Sequence, residues 1–141
     1  MTQKEKQLLL ITLCGMLPYG VIASVRGSDE EFQHFRILGV KDGKVWVEND
    51  ILGVDDFDDV EVVKPYLRPM SSMTEEEEQY VLNTWSEDDL NNGIDLMYDN
   101  YMMLGYASDF IDWLNEHHFD YRELIEKSLA IVAPEDMYKT K

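Results

Sequence analysis

Apolar side chains crowd the start of the chain between Leu8 and Leu17, with Leu9 and Leu13 on one helical face and Leu10, Cys14 and Leu17 beside them. Thr2 and Glu5 stand at capping-box spacing ahead of this run, and Gly15 stands where a helix would stop. The segment therefore predicts a helix, although a strand over 7–13 also fits so short an apolar run. Pro18-Tyr19-Gly20 predicts a turn into a strand over 21–26. Two β-rich runs, 35–41 and 44–49, flank Asp42-Gly43, a strong type I′ turn signal. The register of a two-residue loop pairs Val40 with Val45 and Leu38 with Val47, which places four aliphatic side chains on one buried face. It also sets Gly39 opposite Trp46, where a missing side chain leaves room for the indole. A last strand is expected through Val60, Val62 and Val63, ended by Pro65. The acidic stretch Asp55 to Asp59 reads as a surface loop.

Beyond Met70 the spacing turns helical. Thr74 and Glu77 form a second capping box, with Glu75, Glu76 and Glu77 in the first turn, where the helix dipole favours anions. Ser86 opens another helical turn, broken at Asn92-Gly93. Ile94, Met97, Tyr98, Tyr101 and Leu104 keep helical spacing up to Gly105, and Phe110, Ile111 and Leu114 continue it in a further helix. A final helix is expected from Asp120, with Glu123 reciprocating the cap and Phe119 and Leu124 as a hydrophobic staple. The expected fold is α+β: a small N-terminal SH3-like barrel or curled antiparallel sheet, with a C-terminal helical subdomain.

Charge supports a boundary near 68–74. Residues 1–70 carry 8 basic and 12 acidic side chains, whereas residues 71–141 carry 4 and 17. Two modules follow: 1–70, a helix plus a small β-barrel-like unit, and 71–141, an acidic helical unit. The whole chain of 141 residues has a formal net charge of −17, which opposes direct binding to nucleic-acid backbone or to anionic lipid. Apolar residues at 45% and aromatics at 11% are enough for a packed core. The apolar run after Lys4 is about six residues, short of the roughly 7–15 of a signal-peptide core. No run approaches the ~18 apolar residues of a membrane span. A cytoplasmic protein is expected.

Candidate chemistry is sparse. One cysteine excludes an internal disulfide and any cysteine-based zinc site, and Cys14 reads as an inert thiol on an apolar helix face. His117, His118 and Asp120 form the only cluster resembling a metal or acid–base site. It lacks a third histidine and any HExxH spacing, so a helical corner with one packed and one solvated imidazole is expected instead. Asp88 to Asp99 resembles a calcium-binding loop only at Asn92 and Gly93; Leu90 and Asp99 occupy positions that need an oxygen ligand and a bidentate glutamate. No nucleophile elbow, phosphate-binding loop or dinucleotide fingerprint occurs. No catalytic residue, cofactor or metal is expected.

The segment 97–113 is dense in methionine, tyrosine and tryptophan, including Met97, Tyr98, Tyr101, Met102, Met103, Tyr106 and Trp113. Most of such a stripe is core, and the remainder suits partner recognition. Met102, Met103, Tyr106, His117, His118 and Arg122 are the candidate interaction surface. Arg122, one of the four basic residues of the acidic half, is expected to pair with Glu126 one helical turn on.

The blocks LCGMLPYGV (13–21), VKPYLRPMSSMTEEE (63–77) and IDWLNEHHFDYRELIEKSLAIVAPEDMY (111–138) resemble a family of small acidic proteins from gut Bacteroidales and their phages and mobile elements. The resemblance implies a bacterial or phage cytoplasm and transfers no activity. Non-catalytic protein–protein interaction is the leading expectation, docking through the barrel edge or the Met/aromatic stripe. The alternatives are an acidic mimic of nucleic acid that occupies a host protein's binding groove, and an unrecognised enzyme.

Overall fold

The computed structural model describes residues 1–25, 34–48, 56–85 and 101–138; the side chains of 34, 56 and 101–107 lie outside the description. The described elements are helices α1 (Gln3–Met16), α2 (Glu75–Thr84) and α3 (Tyr101–Glu116), and strands β1 (Ile22–Val25), β2 (His34–Lys41), β3 (Lys44–Val47), β4 (Asp56–Asp59), β5 (Val63–Leu67) and β6 (Ile131–Val132). The expectations at Ser86, at Asn92-Gly93, for the 88–99 loop and for Ile94, Met97 and Tyr98 fall outside the described residues.

The fold is α+β with one six-stranded, curled sheet in the order β4-β3-β2-β1-β5-β6. All pairs are antiparallel except β5 with β6. Strands β4 and β6 are its two ends, and no described pairing joins them into a closed barrel.

Thr2 caps α1 as its spacing predicts: its hydroxyl accepts from the Glu5 amide at 3.1 Å, and Glu5 accepts from the Thr2 amide at 2.9 Å. Leu9, Leu13 and Met16 fall on the buried face with Thr12. Cys14 is exposed, not buried, because it lies on the side of α1 away from that stripe. Gly15 does not stop the helix. It sits inside α1, where an added Cβ would come within 3.1 Å of the Asn115 amide nitrogen. Close approach to α3 therefore accounts for a glycine that costs an isolated helix about 1 kcal/mol. A 3₁₀ turn over Leu17–Tyr19 follows, and Gly20, at φ +73°, turns the chain into β1.

The β2–β3 hairpin turns at Asp42-Gly43, both with positive φ (53° and 76°), as a type I′ turn requires. Val40 pairs with Val45 and Gly39 with Trp46, as the loop length predicts. The pairing of Leu38 with Val47 does not occur. A bulge between Ile37 and Gly39 brings Ile37 opposite Val47, so Ile37 enters the core and Leu38 is left half-buried.

Two further expectations change. The acidic stretch is not a loop from Asp56 onward: it is strand β4, paired with β3 residue for residue. The next strand starts at Val63, because the Asp59 carboxylate accepts from the Glu61 amide (3.0 Å) and folds Val60–Val62 into a 3₁₀ turn. Pro65 does not end β5; it pairs with Ala23, and β6 joins only from Tyr66, so β6 asks no amide donor of Pro65.

In the C-terminal half, Thr74 and Glu77 form the expected capping box of α2. Helix α3 runs unbroken through Gly105 to Glu116. The final helix from Asp120 is absent. Glu123 and Ser128 take left-handed backbone conformations (φ 59° and 62°), and Asp120 instead accepts the Leu124 and Ile125 amides at 2.8 and 2.9 Å, closing a run of turns. These turns send the chain back to the N-terminal half. Leu124, Leu129 and Ala130 join Leu9, Leu13, Met16, Val21, Ile37, Val45, Val47, Val60 and Val63 in the main apolar cluster. A second cluster packs Val81, Trp85, Trp113, Leu114 and Phe119, with Met73, Phe110 and Tyr121 at its margin. Phe119 and Leu124, the expected staple, are both fully buried but in different clusters.

Candidate functional site

The six residues singled out from the sequence do not form one face among those described. Met102, Met103 and Tyr106 lie on the backbone of α3, outside the described side chains. Arg122 donates to the Thr12 hydroxyl at 3.2 Å and lies over the Tyr121 ring at 5.0 Å, so it fastens the turns to α1 where an ion pair with Glu126 was expected. Thr12 is thereby doubly engaged, since its own hydroxyl donates to the Leu8 carbonyl. His117 donates from Nδ1 to the Trp113 carbonyl at 2.9 Å and its ring rests on the Trp113 indole.

His118 is an internal residue at 5% exposure. It holds φ +61°, donates from Nε2 to the Gly20 carbonyl at 2.9 Å, and stacks on Tyr138 with ring centres 3.6 Å apart. Its Nδ1 is buried with no hydrogen-bond partner among the described residues. Burial lowers its pKa, which keeps the imidazole neutral. The stacked Tyr138 reaches between two strands. Its hydroxyl accepts the Ile22 amide of β1 at 2.9 Å and donates to the Tyr66 carbonyl of β5 at 2.7 Å. A side-chain oxygen thus replaces a ladder bond at the point where β5 leaves β1 and takes up β6.

Arg68 is the next anchor along β5. Its amide and carbonyl bond to the His118 carbonyl and the Asp120 amide, each at 2.8 Å. Its guanidinium lies 4.2 Å from the Phe119 ring centre and grips both Glu77 oxygens, at 2.8 and 2.6 Å. Arg68 holds the Glu77 carboxyl at a pKa of about 2, well below the usual range. Apart from His118 Nδ1, these polar groups are spent on holding the chain together. No described group of three or more His, Cys, Asp or Glu side chains is arranged to hold a metal ion. Among the described residues, no helix is long and apolar enough to cross a membrane.

The other end of the sheet is different in kind. In β3, Val45 and Val47 point into the core, so Trp46 points out, and its β4 partner Phe57 shares that outer face. The two rings stack at 5.9 Å and 14°, yet remain 38% and 54% exposed. Gly39 supports them from β2: a Cβ there would stand 3.3 Å from Trp46 Cε3. A supported aromatic pair on an end strand is the described feature best suited to meet another molecule. Sequence reading placed Trp46 over Gly39 but missed Phe57, because three aspartates in four residues hide the strand that carries it. No protein-family model, curated protein or solved structure matches the chain.

Proposed function

We propose that this chain is a non-catalytic protein–protein interaction module whose docking face is the β3–β4 end of the sheet. The observation that carries this reading is the stacked, exposed Trp46–Phe57 pair, since large aromatic side chains left in water are the usual anchors of protein interfaces. The Arg68 and Tyr138 contacts support it from the other side, because those polar groups are engaged within the fold. The resemblance of the 13–21, 63–77 and 111–138 blocks to a Bacteroidales and phage family supports a bacterial cytoplasmic setting.

Capture from a bacterial cytosolic extract tests the reading, with Trp46→Ala/Phe57→Ala as the paired bait. A partner held at high salt by the parent and lost by the variant is the expected result. The exposed carboxylates of α2 (Glu75, Glu76, Glu78) and α3 (Asp109, Asp112, Glu116) favour a second reading, the mimic of nucleic acid. That reading requires a nucleic-acid-binding partner, released steeply by salt and indifferent to the aromatic substitutions.

A further inference from the structure

Residues 131–138 lie on the sheet without burying a side chain of their own: each is half-buried or exposed. Strand β6 is two residues long, pairing Ile131 with Tyr66 and Val132 with Leu67, and the Ala133 amide donates to the Leu67 carbonyl at 2.8 Å. The far end of the segment is fixed by Tyr138. Its hydroxyl sits between β1 and β5, and its ring covers one face of the His118 imidazole with centres 3.6 Å apart. His118 itself is buried, and its Nε2 donates to the Gly20 carbonyl just ahead of β1. A lightly packed segment is thus clasped on a buried titratable ring.

We propose that protonation of His118 unfastens residues 131–138, so that acid opens the β5–β6 seam while the hairpin end stays folded. The added proton goes on Nδ1, inside the fold. Its surroundings do not welcome the charge. Arg68 of β5 and His117, just beyond α3, both oppose it, and the Glu77 carboxylate is already gripped by Arg68. Asp120 spends its two carboxylate oxygens on the Leu124 and Ile125 amides, and Tyr19, in the turn before Gly20, is exposed. Burial pushes the Tyr138 pKa up, so its hydroxyl keeps its proton and His118 is the group that titrates. The Tyr138 ring attracts an imidazolium, but less than burying the charge costs. Water reaches the charge most cheaply by lifting the segment that buries nothing, because Phe119 and Leu124 belong to the two apolar clusters. Once uncovered, the imidazole titrates at its ordinary 6.5, above its pKa in the closed fold, where burial lowers it. The closed seam is therefore favoured above 6.5, and opening grows as pH falls from there toward the lower closed-state pKa. Carboxylates of ordinary pKa keep their charge over the upper part of that range, which leaves the response to histidine.

The test is amide hydrogen exchange on the full chain at pH about 7.5 and about 5, corrected for the intrinsic pH dependence of exchange. Protection at Ile22 and Ala133 is expected to fall several-fold in acid, while that at Glu48, bonded to the Arg36 carbonyl in the hairpin, holds. His118→Gln keeps a donor for the Gly20 carbonyl and cannot titrate, so its Ile22 and Ala133 amides should be equally protected at both pH values. Tyr138→Ala reads the same linkage in reverse: with the covering ring gone, the NMR titration of His118 should move up toward 6.5. That measurement decides the matter if the circular-dichroism spectrum shows the glutamine variant unfolded. Protection in the parent that is unchanged by acid overturns the proposal. So does an equal loss at Glu48, which is unfolding of the whole chain and not release of one segment. An acid response that survives His118→Gln, or a His118 titration unmoved by Tyr138→Ala, overturns it as well.

Discussion

The two ends of the sheet are built on opposite plans. At the β4 end the strand pairing is local: β2, β3 and β4 follow one another, and the aromatic pair comes from neighbouring strands. At the β6 end the strand pairing and the bonds that complete it come from distant parts of the chain. Tyr138 bonds to Ile22 across 116 positions, His118 to Gly20 across 98, and β6 lies parallel to a strand formed more than sixty residues earlier. The first end leaves the Trp46 and Phe57 rings exposed, while at the second the Tyr138 hydroxyl answers backbone groups of β1 and β5. A single sheet thus separates an end with exposed aromatic rings from a seam that distant residues complete.

If this contrast is right, damage to the seam should cost stability and damage to the aromatic end should not. Phe119→Ala should have the largest effect, about 3–5 kcal/mol, because a fully buried ring leaves a cavity beneath Arg68 and Trp113. Chemical denaturation reads it directly. Tyr138→Phe should cost about 1–3 kcal/mol, since it strands the Ile22 amide and the Tyr66 carbonyl while keeping the ring on His118. Faster hydrogen exchange at Ile22 with little change in β3 would confirm that the loss is confined to the seam. A uniform loss across the sheet would break the comparison.

Acid should act next, and in one direction. His118 has a pKa below its ordinary 6.5 in the fold, so the unfolded chain binds the proton more readily and stability declines as pH falls below that value. Glu77, at about 2 against an ordinary 4.5, adds stability above 4.5 that is lost as pH falls from there toward 2. The partly exposed Arg68–Glu77 pair is worth about 1 kcal/mol once solvent screening is counted. Glu77→Gln should therefore flatten the lower part of the curve of melting temperature against pH. A curve unchanged by that substitution would show the pair to be idle. The smallest stability change, within about 0.5 kcal/mol, should come from Trp46→Ala/Phe57→Ala, which trims exposed rings. A loss of several kcal/mol there would make the aromatic end part of the core after all.

What the sequence revealed follows the same division. The type I′ turn and the Gly39–Trp46 pairing were legible because two residues determine them, and both helix capping boxes were legible because four residues do. The bulge at Leu38 was not, since alternation by itself does not reveal an extra residue. The corner after Asp120 carried helix-start signals as good as those of α1, but distant partners overrode them. Arg68 takes the Asp120 amide, Leu124 and Leu129 are drawn into the N-terminal cluster, and Glu123 turns left-handed to let them go. Gly15 likewise has the sequence position of a helix stop, and only the fold brings Asn115 beside it. The role of Tyr138 had no sequence signal, because a hydroxyl between two strands is defined only by where those strands diverge.

The Tyr138 hydroxyl also sets an order of events during synthesis. Strand β1 leaves the ribosome early, yet the oxygen that completes its pairing is made 116 residues later, together with the β6 strand that β5 awaits. The hairpin end can form as soon as it emerges, whereas β5 keeps an open edge until residues 131–138 arrive. Growing chains therefore pass through a stage with an unfinished strand beside an incomplete apolar cluster, and premature termination before Leu124 leaves that stage as the product. For this molecule, the finishing stitch of the sheet is made from residues that arrive long after the strands it joins.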